Sequence, residues 1–145
     1  NMLSKSCQYA IRTLLFICSK SKDNHRIRLQ EISDALDSPP AFTSKILQHL
    51  VLANLVQSKK GANGGFEMKD GDCKRVTLGQ VIEIFDGRSI TAGCFLGLSE
   101  CGDKNPCPIH HIYFPIKSQL NSTLMNITIH EILSDPKLFN INLKT

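Results

Sequence analysis

The sequence predicts a mainly α-helical fold with one small β-hairpin: three helices, the hairpin, a fourth helix, an irregular loop and a long helix. Three observations carry this. Apolar residues recur at three- and four-residue steps through residues 3–18, 29–36 and 42–50, the period of helices with one buried stripe. Residues 55–68 switch to short alternating stretches around a glycine-rich turn, which reads as a hairpin. Residues 93–110 are too rich in Gly and Pro for helix or strand, and they hold Cys94, Cys101 and Cys107.

Leu3, Cys7, Ala10, Ile11, Leu14, Leu15 and Cys18 form the stripe of the first helix, where Cys7 and Cys18 read as small buried hydrophobes. Residues 19–28 are a polar connection. Leu29, Ile32, Ala35 and Leu36 are the inward face of a short second helix. Ser38-Pro39-Pro40 restarts a helix, since proline suits the first helical position. This third helix runs to about residue 52, with Phe42, Ile46, Leu47 and Leu50 inward and Thr43, Ser44, Lys45, Gln48 and His49 outward. Lys59 and Lys60 stand immediately before the hairpin turn. Three helices followed by a hairpin with a basic tip is the winged-helix order, a variant of the helix-turn-helix.

Thr77-x-x-Gln80 is a capping box opening the fourth helix, with Leu78, Val81, Ile82 and Phe85 inward and Asp86-Gly87 as its end. Beyond the cysteine loop, Ile112, Ile116, Leu120 and Leu124 repeat every four residues. That narrow stripe marks a long helix over about 115–125. Pro115 lacks a backbone donor and is expected to kink this helix or set its true start. Thr128-x-x-Glu131 opens a last short helix that closes near Asp135-Pro136. The chain thus divides into a helix-turn-helix unit (2–70), a unit with the loop (about 93–110) and the long helices (76–135), and a tail (136–145).

A chain of 145 residues suits one domain, or a small domain with an appended element, and 41% hydrophobic against 21% charged residues is a globular balance. No apolar run approaches the roughly 18 residues of a membrane span. No basic-then-apolar leader is visible, so a cytosolic location is expected. Asn1 ahead of Met2 reads as a cloning remnant and carries no weight. In a reducing compartment six cysteines are expected to be ligands, redox thiols or small buried residues, not a disulfide frame. The net charge of +4 resides in the first half, where residues 1–70 hold ten Lys/Arg against six Asp/Glu; residues 71–145 hold seven of each. A basic half is what a phosphate-facing surface needs.

In a helix-turn-helix the second helix of the motif lies in the major groove and reads base edges. Here it offers Thr43, Ser44, Lys45 and Gln48. Lys59 and Lys60 at the wing suit phosphates or the minor groove, with Asn63 and Gly64 beside them in the turn. The alternative is a solvated tip that blocks edge-to-edge pairing. Ser4 and Lys5 at the start of the first helix can add phosphate contacts through side chains and free N–H groups. A symmetric dimer would double these contacts and match a palindromic site. The stripe Ile112, Ile116, Leu120 and Leu124 is the natural dimer surface, unless it folds back on its own domain.

The spacing Cys94-x6-Cys101-x5-Cys107 is neither a common zinc pattern nor a ferredoxin one. Three thiolates and an imidazole from His110 can hold iron–sulfur or zinc. Free redox thiols remain the alternative, with Lys104 nearby favouring the thiolate. No nucleotide loop or acid–base pair suggests an enzyme or a cluster carrier. His25, His49, His111 and His130 read as ordinary surface or core histidines.

Taken together, these residues resemble the Rrf2 family of bacterial winged-helix regulators over about residues 2–135. The likeness runs through Ser6-Cys7-Gln8-Tyr9-Ala10-Ile11-Arg12, Lys45-Ile46-Leu47-Gln48-His49-Leu50, the wing Lys59-Lys60-Gly61-Ala62-Asn63-Gly64-Gly65-Phe66, Val76-Thr77-Leu78-Gly79-Gln80-Val81-Ile82 and the three-cysteine loop. The resemblance implies a homodimer that binds a palindromic double-stranded DNA operator through the third helix and wing. In the cluster-bearing branch it implies an iron–sulfur centre, of 2Fe–2S type, on Cys94, Cys101 and Cys107. Cys107-Pro108-Ile109-His110 looks like the C-x-x-H that supplies a histidine ligand. The chain departs from the family in a first cysteine interval one residue longer than usual. Gln8 stands where nitric-oxide sensors place an acidic ligand, and Ser44 where the iron–sulfur regulators have a glutamate. The expected function is a transcriptional regulator sensing redox, nitric oxide or iron status through a cluster. The alternative is a cluster-free member sensing through thiols, zinc or a partner protein.

Overall fold

Helix α1 (Lys5–Lys20) is the central strut of the computed structural model, which describes residues 2–20, 26–138 and 141–144. The expectations for Asn1, for His25, for the middle of the first connection and for parts of the tail therefore lie outside the described residues. Its stripe buries Cys7, Ala10, Leu14 and Ile17 against α2 (Leu29–Leu36), α3 (Pro40–Leu52), α5 (Leu78–Asp86) and α8 (Ile129–Leu133). Fully burying a leucine such as Leu14, Leu47 or Leu50 contributes about 1.5–3 kcal/mol. The Cys7 thiol is pushed up to about 12 by burial first and then by the nearby Asp86 carboxylate. It is an inert packing group, as its place on the stripe suggested.

The turn between α2 and α3 is locked by three hydroxyls. Ser33 Oγ donates to the Ser38 carbonyl at 2.6 Å, Ser38 Oγ and Thr43 Oγ1 share a hydrogen bond of 2.6 Å, and Thr43 Oγ1 donates to the Pro39 carbonyl at 3.0 Å. Thr43 was expected on the outward, base-reading face. It is instead 2% exposed, because the chain needs its hydroxyl to satisfy polar groups inside the turn. Pro39 is the N-cap of α3 and Pro40 its first residue, as the sequence suggested.

Strands β1 (Gln57–Lys59) and β2 (Gly65–Glu67) pair antiparallel, with Ser58 opposite Phe66. Ile27 adds a third edge: its N–H donates to the Phe66 carbonyl at 2.9 Å, and the Phe66 N–H donates back at 2.8 Å. Two glycines make this possible. Gly65 has φ +137, and a Cβ there would stand 2.7 Å from the Ile27 carbonyl oxygen. Gly64 is buried inside the turn, where a Cβ would stand 2.4 Å from the Lys59 carbonyl oxygen. Gly64 thus lets the hairpin turn tightly on itself.

After the wing comes a short helix, α4 (Asp72–Arg75), that the sequence pattern did not reveal. It carries Cys73, which is disulfide-bonded to Cys18 of α1 across 55 residues. Cys18 is therefore not the lone buried thiol expected from its stripe.

The Thr77 capping box is complete: Gln80 N–H donates to Thr77 Oγ1 at 3.2 Å, and Thr77 N–H donates to Gln80 Oε1 at 2.9 Å. Just inside it, Gly79 N–H donates to the Met125 carbonyl at 2.8 Å, and a Cβ on Gly79 would lie 2.4 Å from that oxygen. Gly79→Ala forces two backbone segments apart and is expected to cost about 1–3 kcal/mol of stability, read as a lower urea midpoint at unchanged slope.

The short α6 (Ser89–Ala92) leads into the cysteine loop, and α7 (His110–Gln119) follows it. Helix α7 begins five residues before Pro115, so that proline lies inside the helix and does not set its start. The chain continues as a π-helical segment, Leu120–Leu124, where Met125 N–H bonds the Leu120 carbonyl at 2.9 Å. Ser122 and Thr123 hydroxyls donate to the Gln119 carbonyl there, at 3.3 and 2.5 Å, competing with the regular ladder. Of the four-residue stripe, Ile112, Ile116 and Leu124 are exposed and Leu120 is half-buried. The stripe does not fold back into the core. At the C-terminal end, Leu143 is buried, and its carbonyl accepts from Arg12 Nε at 2.7 Å, so this part of the expected tail is anchored to α1.

Candidate nucleic-acid interface and metal centre

The outward face of α3 presents Lys45 and Gln48 exposed and Ser44 partly so, with Gln48 Nε2 donating to Ser44 Oγ at 3.3 Å. Ala41, one turn earlier, is exposed on the same N-terminal part of the helix and was missed because a lone alanine carries no polar signal. It can meet a thymine methyl. Lys5 stands beside the first turn of α3, its Nζ 5.8 Å from the Phe42 ring centroid. Ser4 does not join it. Its N–H donates to Asp86 Oδ2 at 2.8 Å and its hydroxyl donates to Asp86 Oδ1, so both donors expected for phosphate are engaged by a carboxylate.

Lys59, Lys60 and Asn63 are all exposed at the wing. Their carrier is braced by Arg28, whose Nη2 donates to the carbonyls of Gly61 at 3.3 Å and Ala62 at 2.5 Å. Sequence reading placed Arg28 in a polar connection. Only the fold reveals that it grips the hairpin tip.

The loop gathers its soft ligands at the start of α7. The three cysteine sulfurs lie within 4.8 Å of one another. Cys94 Sγ and Cys107 Sγ are 3.7 Å apart, and Cys101 Sγ is 3.4 Å from His110 Nδ1. A tetrahedral metal with sulfur at about 2.3 Å and nitrogen at about 2.0 Å needs S···S near 3.8 Å and S···N near 3.6 Å, so both pairs have ligand spacing. The Cys107 N–H donates to Cys101 Sγ at 3.4 Å, and a turn pairing Gly102 with Asn105 folds the chain between them. The other imidazole nitrogen of His110, Nε2, lies 3.1 Å from Asp103 Oδ1. A proton held there leaves Nδ1 as the ligating atom, the usual carboxylate–histidine arrangement around metals. Thiolates with one imidazole fit an iron–sulfur or zinc centre.

The thiols are unequal. Backbone N–H groups, that of Leu98 foremost, pull Cys94 down to about 7. At Cys101 the Cys107 N–H favours the thiolate, but desolvation and the neighbouring thiols outweigh it and push the group up. In metal-free protein Cys94 is therefore expected to be the first loop cysteine alkylated by iodoacetamide. Its rate should rise through a midpoint near pH 7, since a lowered pKa makes thiolate available earlier as pH rises. Peptide mass mapping after quenching reads this, with Cys7 as the unreactive internal standard.

The winged-helix unit and the helices that follow it define the class: a winged-helix transcriptional regulator fold with an appended three-cysteine loop. A family match confirms it: residues 3–135 match Rrf2, described as iron-dependent transcriptional regulators. The chain belongs to this family, whose members are transcriptional regulators and not enzymes. It is 26% identical over 140 residues to the HTH-type transcriptional regulator IscR of Vibrio parahaemolyticus, covering 97% of this chain and 82% of that one. Its fold is similar to that of CymR, the global cysteine regulator of B. subtilis, with TM-score 0.76 at 18% identity over 91% of this chain and 95% of that one. It is also similar to T. potens IscR, with TM-score 0.68 at 17% identity over 92% and 86%. No helix among the described residues is long and apolar enough to cross a membrane.

Proposed function

We propose that the protein is a cytoplasmic, homodimeric regulator that binds a two-fold-symmetric DNA operator and reports iron–sulfur status through its loop. Two protomers joined along Ile112, Ile116, Leu120 and Leu124 would present two α3 helices and two wings to one face of a duplex. Ser44, Lys45 and Gln48 would meet base edges, and Lys5, Lys59, Lys60 and Asn63 the backbone. The observation that carries the sensing part is the convergence of Cys94, Cys101, Cys107 and His110 at the first turn of α7. In this reading Cys94, Cys101, Cys107 and His110 would be the ligands that hold the centre. A bound cluster supplies a tie that oxidation, nitric oxide or iron shortage can break. This chain's part is to convert the state of residues 94–110 into a position of α7, and so into the spacing of two reading heads. A coupling of about 1–3 kcal/mol makes a useful switch.

Anaerobic purification with iron and sulfide counts, followed by salt-dependent gel shifts and a mass measurement in solution, tests this. A brown dimer that binds DNA is expected. A colourless monomer indifferent to DNA at low ionic strength ends the proposal. A colourless protein that still binds DNA moves the sensing to thiols or zinc, a reading that the depressed Cys94 thiol favours.

A further inference from the structure

We propose that Cys18 and Cys73 form a reversible dithiol–disulfide site, separate from the loop thiols, whose oxidant is a low-molecular-weight disulfide. The pair joins the last turn of α1 to α4 with a Cα–Cα distance of 6.0 Å, inside the span a disulfide needs. It opens onto a cleft of about 480 Å³ whose lining includes both cysteines, Met68, Lys69, Lys74 and His130. Cys18 is buried and Cys73 half-exposed, so Cys73 is the sulfur an incoming reagent meets first. Met68 covers the pair, its Sδ 3.1 Å from Cys18 Sγ and 3.8 Å from Cys73 Sγ. Lys69 and Lys74 supply positive charge to a Cys73 thiolate and to an anionic reagent, with Asp70 the one acidic group among the described residues of the lining. A disulfide with one sulfur at an open cleft is an exchangeable one.

The exchange balances without a metal. The Cys73 thiolate attacks one sulfur of the reagent disulfide and expels a thiolate, giving a mixed disulfide. The Cys18 thiolate then attacks Cys73 Sγ and expels the second reagent thiolate. Two protein thiols are oxidised by two electrons, the reagent is reduced to two thiols, and the protons from Cys18 and Cys73 pass to the two leaving thiolates.

The bond closes residues 18–73 into a ring holding α2, α3, β1 and β2, the reading helix and the wing. Its consequence is therefore a tighter head, independent of whether the loop holds a cluster.

The full-length chain, reduced and freed of reductant, is incubated with oxidised glutathione, alkylated and mapped without reduction. A Cys18–Cys73 linked peptide is expected, reversed by dithiothreitol under native conditions, with Cys7 unmodified. Limited proteolysis within residues 18–73 should slow by about tenfold on oxidation. The Cys94→Ser/Cys101→Ser/Cys107→Ser variant should form the same linkage, and Cys73→Ser should not. A glutathione adduct that stays on Cys73, a linkage to loop cysteines, no linkage at all, or a bond that dithiothreitol cannot open in the folded protein would each overturn the proposal.

Discussion

Replacing Cys107 with alanine is expected to give a folded, colourless protein that holds iron at least about 100-fold more weakly than the parent. Loss of a group that merely orients a metal ligand costs 10–100-fold, and removal of a ligand costs more. Cys107 is the hub of the centre: its sulfur faces Cys94, and its N–H donates to Cys101 Sγ. Alanine keeps the N–H and removes only the sulfur. The fold should lose about 1–2 kcal/mol from the small void, too little to unfold it. Visible absorption and iron and sulfide counts after anaerobic purification check this against a circular dichroism melt. His110→Ala is the milder change, because it leaves all three thiols in place, and it should keep colour with a shorter lifetime in air. A wild-type iron count in the Cys107 variant would remove the ligand assignment.

The same variant tests how the loop reaches the DNA-facing half. Both ends of the loop are fastened to α7: Lys117 Nζ donates to the Gly93 carbonyl at 3.4 Å, and the Phe95 and Tyr113 rings lie 5.2 Å apart. His110 is itself the first residue of that helix. Untying the centre leaves these surface contacts to hold the loop alone. Operator affinity should then differ between loaded and cluster-free protein by roughly 5–150-fold, in either direction. A cluster whose loss changes affinity for no operator would be a bound group without a regulatory role.

Much of the fold was legible because periodicity and turn chemistry are local. The three-helix stripe, the Pro40 start, the Thr77 capping box and the hairpin all follow from residues within a few positions of one another. The gathering of the three cysteines was legible for the same reason, since the loop folds on itself within residues 94–110. The misses are contacts that span the chain. Ser4 is engaged by Asp86, Cys18 by Cys73, and the wing tip by Arg28, and no period links such partners. Thr43 failed differently. A threonine on a helix reads as polar and outward, but here three hydroxyls packed into one turn are worth more inside it. Pro115 reads as a kink or a helix start, yet the helix begins before it and leaves α geometry only later, where Ser122 and Thr123 bond back to Gln119.

Lys59→Ala/Lys60→Ala is expected to weaken DNA binding about 10²–10³-fold near 0.15 M salt and to flatten the plot of log affinity against log salt by about 3 to 4 units. Each phosphate contact contributes about 0.9 to that slope, and a dimer carries two copies of each lysine. The loss should fall alike on operator and random DNA, because backbone contacts carry no sequence. Gln48→Ala is the opposite case: a small effect on the slope and a loss of discrimination at one base position. Arg28→Ala separates contact from support. Arg28 holds the carbonyls of Gly61 and Ala62, so its loss lets the tip move while both lysine charges remain. Affinity should fall with little of the slope change seen for the lysine pair. An unaltered slope in the double lysine variant would leave those side chains as a solvated tip that guards the β1–β2 edge, and would move the phosphate-facing role to Lys5 and Lys45.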